Sequence, residues 1–146
     1  MLGRFWLRTA AIASLLLTLA HTFGFTKTQP GAQLAARRAM EAAPFDLGGS
    51  VRTYWDVYVG FGLVISALML AQAGVLWLLA RQDRRHPGEG RAFVAVLFLS
   101  NLATLGLDWR YLFAAPQIVS AVITLAIGAA FVTLGQGATQ TRTATA

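Results

Sequence analysis

Four apolar stretches constrain this chain more than any other feature: Phe5–Phe25, Tyr54–Ala80, Arg91–Asp108 and Pro116–Leu134. A helix crossing a hydrocarbon core about 30 Å thick needs roughly 20 residues, because each adds about 1.5 Å of rise. The stretches approach that length. Inside lipid every backbone N–H and C=O must be satisfied by a helix or by a closed barrel. Barrel strands are shorter and alternate with period two, which these stretches do not. The expected fold is therefore all-α, an integral-membrane four-helix bundle over residues 1–135, followed by a flexible cytoplasmic tail over residues 136–146.

Composition agrees, since 56% of the residues are hydrophobic and only 12% are charged, against roughly a quarter charged in soluble domains. The formal charge of +6 does not point to nucleic acid, because the basic residues form short clusters between the apolar stretches rather than one stripe. With no cysteine in the chain, disulfides, thiolate metal sites and cysteine nucleophiles are excluded.

The basic clusters instead set an orientation, since short loops rich in Lys and Arg stay in the cytoplasm. Arg4, Arg8, Arg81, Arg84, Arg85, Arg91 and Arg142 fall on one side; Lys27, Arg37, Arg38, Arg52 and Arg110 fall on the other. The dense Arg81–Arg91 loop places both termini in the cytoplasm. Arg4 and Arg8 before an apolar core also resemble a signal peptide, but Thr18 and Ala20 make a loose cleavage site. The first span is expected to stay in the bundle. The long first extracytoplasmic loop has one stretch without helix breakers, Ala32–Ala43, where a short helix is expected before Pro44, Gly48 and Gly49 end it.

Polar side chains are costly in lipid and turn toward neighbouring helices, and small residues mark close packing. Ser14, Thr18, His21 and Thr22 share one face of the first span. In the second, Asp56, Gly60, Ala67, Ala71 and Gly74 form one stripe, and Gly62, Ser66 and Ala73 a second. Ser100, Thr104 and Asp108 line the third, with Asn101 one position round, and Gln117, Ser120 or Ala121, Thr124 and Gly128 line the fourth. Convergence of these faces makes His21, Asp56, Asp108, Arg110, Gln117, Trp55 and Trp109 the candidate ligand-binding residues of an outer-half pocket.

Each candidate also has a plainer role: a helix-bridging bond for His21, a cap for Asp56 at the start of its helix, an ion pair for Asp108 with Arg110. Gln72 and Asn101, amides at mid-membrane depth, are expected to bridge helices. A histidine with two aspartates carries no metal-ligand spacing here, so no metal is expected. No catalytic or nucleotide motif is present, and no cofactor is implied.

The stretches HTFGFT (His21–Thr26), QPG (Gln29–Gly31), RTYWDVYVGFG (Arg52–Gly62) and WRYLFAAP (Trp109–Pro116) resemble those of an uncharacterised family of small bacterial four-span integral membrane proteins. The resemblance implies a bacterial inner membrane and no activity or cofactor. The leading expectation is a non-enzymatic protein in the lipid bilayer that binds a lipid-like or small amphipathic molecule. The alternatives are a membrane-embedded enzyme on a lipid-like substrate, with His21 and Asp56 or Asp108 as acid and base, or an accessory subunit that packs against a membrane partner or a second copy of itself.

Overall fold

The computed structural model describes residues 1–27 and 30–143, with side chains in the last helix described as far as Leu134. Gln29 of the QPG stretch and residues 144–146 lie outside the described residues, as does the side chain of Arg142. The elements are α1 (Leu2–Thr26), α2 (Ala32–Glu41), β1 (Pro44–Leu47), β2 (Ser50–Thr53), α3 (Tyr54–Gln82), α4 (Arg91–Tyr111) and α5 (Ala114–Thr143). Four of the helices are long and apolar enough to cross a membrane: α1, α3, α4 and the Ala114–Leu134 part of α5. The protein is all-α in class, consistent with a four-helix bundle.

Two boundaries differ from expectation. No proline interrupts the backbone after Pro116, and α5 is helical to Thr143, past the point where a flexible tail was expected to begin. The expected break at Pro44–Gly49 is a β-hairpin, with Pro44 opposite Thr53 and Leu47 opposite Ser50. Gly48 and Gly49, at φ 60° and 84°, fill the two turn positions that need positive φ in a two-residue hairpin. The Asp46 carboxylate fixes the turn by accepting the Gly49 N–H at 2.8 Å. The hairpin delivers the chain straight into α3, whose start is capped reciprocally: the Asp56 carboxylate accepts the Thr53 N–H (2.8 Å) and hydroxyl (2.9 Å), while the Thr53 hydroxyl accepts the Asp56 N–H (3.1 Å). That is the capping-box arrangement with Asp as the acid.

The described chain forms two compact units. The larger comprises Met1–Leu17 and Leu70–Ala146 and draws on all four long helices. Its core joins Leu7 and Ala10 of α1, Leu76 and Ala80 of α3, Val94 of α4, and Ile123, Ile127 and Ala130 of α5. Lipid supplies little hydrophobic drive for helix association, so close approach over alanines matters more than bulk. At Gly128 a Cβ would lie 2.9 Å from the Phe98 ring, so the glycine permits the α4–α5 contact. Pro116 sits in the first turn of α5, where no N–H is needed. Leu99, Val96, Leu125 and Leu78 are exposed, as lipid-facing residues should be.

The smaller unit, Thr18–Met69, holds the end of α1, α2, the hairpin and the first half of α3. Here Gly62 is buried and Ser66 is 8% exposed. A Cβ on Gly62 would come within 2.8 Å of the Phe25 ring, so glycine is what lets that ring lie against α3.

Candidate functional site

The seven residues singled out from the sequence divide between the units. His21, Trp55 and Asp56 belong to the smaller; Asp108, Trp109, Arg110 and Gln117 belong to the larger.

In the smaller unit His21 is half-buried, and its Nε2 lies 3.3 Å from the Gly62 carbonyl oxygen. A carbonyl can only accept, so Nε2 carries the proton, and in the neutral ring Nδ1 is an acceptor. Among the described residues nothing bonds to Nδ1. One residue on, the Thr22 hydroxyl lies 2.8 Å from both the Thr18 carbonyl and the Ser66 hydroxyl. The Ser66 hydroxyl donates to the Gly62 carbonyl at 3.0 Å. These bonds tie α1 to α3 and keep the hydroxyls off lipid.

An aromatic row continues from this seam. The rings of His21 and Phe25 are 5.2 Å apart, those of Phe25 and Tyr58 6.4 Å, and Tyr58 stacks on Trp55 at 5.3 Å. The Arg37 guanidinium of α2 lies 4.7 Å from the centre of the Trp55 ring and 2.7 Å from the Glu41 carboxylate, so α2 is held against the start of α3 by a cation–π contact. Asp56 is exposed and spent on Thr53, the plainer of its two expected roles.

In the larger unit a polar seam runs through all four helices. Gln72 and Asn101 form a reciprocal amide pair, with N–H···O distances of 3.2 and 3.1 Å, and Gln72 Nε2 is also 3.3 Å from the Ser14 hydroxyl. Asn101 donates further to the Leu97 carbonyl at 2.8 Å. The Thr124 hydroxyl of α5 donates to the Ser120 carbonyl at 2.7 Å and reaches the Asn101 carbonyl at 3.3 Å. Asp108, 8% exposed, accepts a hydrogen bond from the Ser120 hydroxyl. Gln117 donates to the Leu112 carbonyl at 2.7 Å, just past the end of α4, and to the Asp108 carbonyl at 3.3 Å, which also accepts the Leu112 N–H at 2.8 Å.

Three sequence expectations change. Asp108 does not pair with Arg110: the Arg110 guanidinium is exposed and lies 5.7 Å from the Tyr111 ring centre, because residues two apart on a helix project from opposite sides of it. Ser100 and Thr104 are exposed, and Thr104 satisfies its hydroxyl on the Ser100 carbonyl at 3.0 Å. The inward face of α4 is Val94, Asn101 and Asp108, at seven-residue spacing. On α3 the buried small stripe is Gly62, Ser66 and Ala73, while Gly60, Ala67, Ala71 and Gly74 are exposed. Trp109 is also exposed, as suits an interfacial anchor.

Sequence reasoning passed over the Gly62 carbonyl as the partner of His21 and the Ser66 hydroxyl as the partner of Thr22. The four-residue spacing of Gly62 and Ser66 on one face of α3 is the signal the sequence offers for them. Among the described residues no three metal-ligating side chains cluster. Comparison with family models, curated proteins and solved structures finds no match to this chain.

Proposed function

We propose that this is a non-enzymatic multi-pass membrane protein that binds a lipid-like or small amphipathic molecule at the His21 end of α1. The observation that carries the reading is the half-buried imidazole: anchored through Nε2 on the Gly62 carbonyl, it offers Nδ1 as an acceptor beside the Phe25 ring. Small-molecule sites combine mostly apolar walls with a few placed polar groups. A hydroxyl-bearing head, as in a lipid or a quinol, suits one acceptor nitrogen at the head of an aromatic row. The acid–base alternative needs His21 and a carboxylate within hydrogen-bond reach of one substrate, and the Asp56 carboxylate is engaged by the Thr53 N–H and hydroxyl at the start of α3. In this reading the membrane is a bacterial inner membrane and the arginine-rich ends of the helices face the cytoplasm, which puts His21 on the outer side.

Native mass spectrometry of the protein purified in mild detergent tests the proposal. An amphipathic adduct is expected on the wild type and lost in His21→Phe, which keeps the ring shape and removes the acceptor. A wild type without adduct, or a variant that retains it, contradicts the reading.

A second reading, an accessory subunit, is supported by the exposed small stripe Gly60, Ala67, Ala71 and Gly74. A Cβ at Gly60 or Gly74 would meet nothing within 4 Å, which leaves room for a partner helix. Disulfide crosslinking of Ala71→Cys between copies tests the homodimer form of this reading.

A further inference from the structure

The larger unit carries a groove of about 390 Å³ lined by Met1, Arg4, Phe5, Arg8 and Arg84, within the roughly 300–1,000 Å³ of ligand sites. From this groove we infer a binding site for the phosphate of an anionic phospholipid, separate from the His21 site. Its charge is one-sided. Arg4 pairs with Asp83 at 3.7 Å, and the other oxygen of that carboxylate accepts the Gly88 N–H at 3.1 Å. Among the described residues Arg8 and Arg84 form no ion pair; the Arg8 guanidinium lies 5.7 Å from the Trp77 ring centre. Three arginines thus line the groove, and of these Arg4 alone is paired with a carboxylate.

The walls point to a lipid rather than a free anion. Phe5 and Met1 are exposed beside the arginines, an apolar surface that a phosphate ion cannot use and a glycerol backbone with acyl chains can. The depth fits as well, because the apolar stretch of α1 begins at Phe5 and that of α3 ends at Ala80. The guanidiniums therefore lie where headgroups meet hydrocarbon, and basic pockets between spans at that level bind phospholipid headgroups. Uncompensated positive charge disfavours a choline head and favours one with no cation of its own.

Native mass spectrometry of the full chain, titrated with phosphatidylglycerol or with phosphatidylcholine of the same acyl chains, tests the site. Wild type is expected to prefer phosphatidylglycerol, and Arg8→Gln and Arg84→Gln are each expected to weaken its binding about fivefold, with phosphatidylcholine unchanged. Arg110→Gln, at the opposite end of α4, leaves the preference intact. Arg84 is exposed on the turn after α3, so Arg84→Gln keeps the test open if Arg8→Gln does not fold. Equal binding of the two lipids, a preference that survives in both groove variants, or one that falls equally in Arg110→Gln overturns the inference. So does complete displacement of phosphatidylglycerol by millimolar inorganic phosphate, which would make the groove a phosphate site. The His21-dependent adduct persists in Arg84→Gln if the two sites are distinct.

Discussion

Replacing Asn101 by leucine removes a side chain of similar size that bridges helices in the polar seam of the larger unit. It deletes both bonds of the reciprocal pair with Gln72, at 3.2 and 3.1 Å, and the 2.8 Å bond to the Leu97 carbonyl. Gln72 keeps its contact with Ser14, but its carbonyl oxygen is left without a donor, and a buried polar group so stranded costs about 1–3 kcal/mol. Gln72→Leu strands the Asn101 oxygen in the same way and carries a similar cost. The double variant strands neither amide, so it should be less destabilised than the two single variants summed. Interhelical hydrogen bonds in membranes couple by about 0.6 kcal/mol on average and reach about 1.7. With two bonds in the pair, about 1–2 kcal/mol is expected. Equilibrium unfolding in mixed SDS micelles, followed by tryptophan fluorescence, gives the four free energies of the cycle. A coupling smaller than about 0.3 kcal/mol, the level of simple additivity, refutes the claim that these amides meet each other.

Other perturbations test separate parts of the fold. Gly62→Val forces a side chain into the 2.8 Å space against Phe25 and should cost about 1–3 kcal/mol, read as a lower unfolding midpoint in the same assay; an unchanged midpoint removes the close α1–α3 approach. Thr53→Ala breaks the reciprocal cap with Asp56 and should cost about 0.5–2 kcal/mol, with amide exchange accelerating at Thr53–Asp56 and not at the core around Ile127. For the proposed orientation, alkaline phosphatase inserted at the Gly48–Gly49 turn should be active, while a fluorescent protein at the C-terminus should fluoresce; the opposite pattern inverts the topology.

The spans were legible because length and apolarity alone decide them. The faces were legible only where one polar residue had a single stripe to join: Ser14 and Thr18 of α1, and Ser120 and Thr124 of α5, are buried as their spacing implies. On α3 two small stripes competed, and spacing could not choose between them. The choice was made by Phe25 and Thr22 of α1, which need Gly62 and Ser66 opposite. On α4 the hydroxyls of Ser100 and Thr104 counted as polar in the sequence, yet a threonine in a helix can return its hydroxyl to the carbonyl one turn back and so face lipid cheaply. Asn101 has no such complete escape, because its amide carries two donors and an acceptor, and it marks the true inner face. The hairpin is not legible because a Gly-Gly pair ends a helix as readily as it makes a two-residue turn. Of the candidate site, the sequence located His21 and Asp108 as polar groups that the fold shields, but not their partners, which are a backbone carbonyl and a serine.

Each membrane helix turns its wet flank toward protein. Because the chain has no cysteine, single-cysteine variants from Leu97 to Asp108 can be spin-labelled without background and scanned in bilayers for oxygen accessibility. Minima at positions 101 and 108, with maxima at 99, 104 and 107, are the predicted result. High oxygen accessibility at 101 and 108 would contradict it, since the amide and the carboxylate would then face lipid.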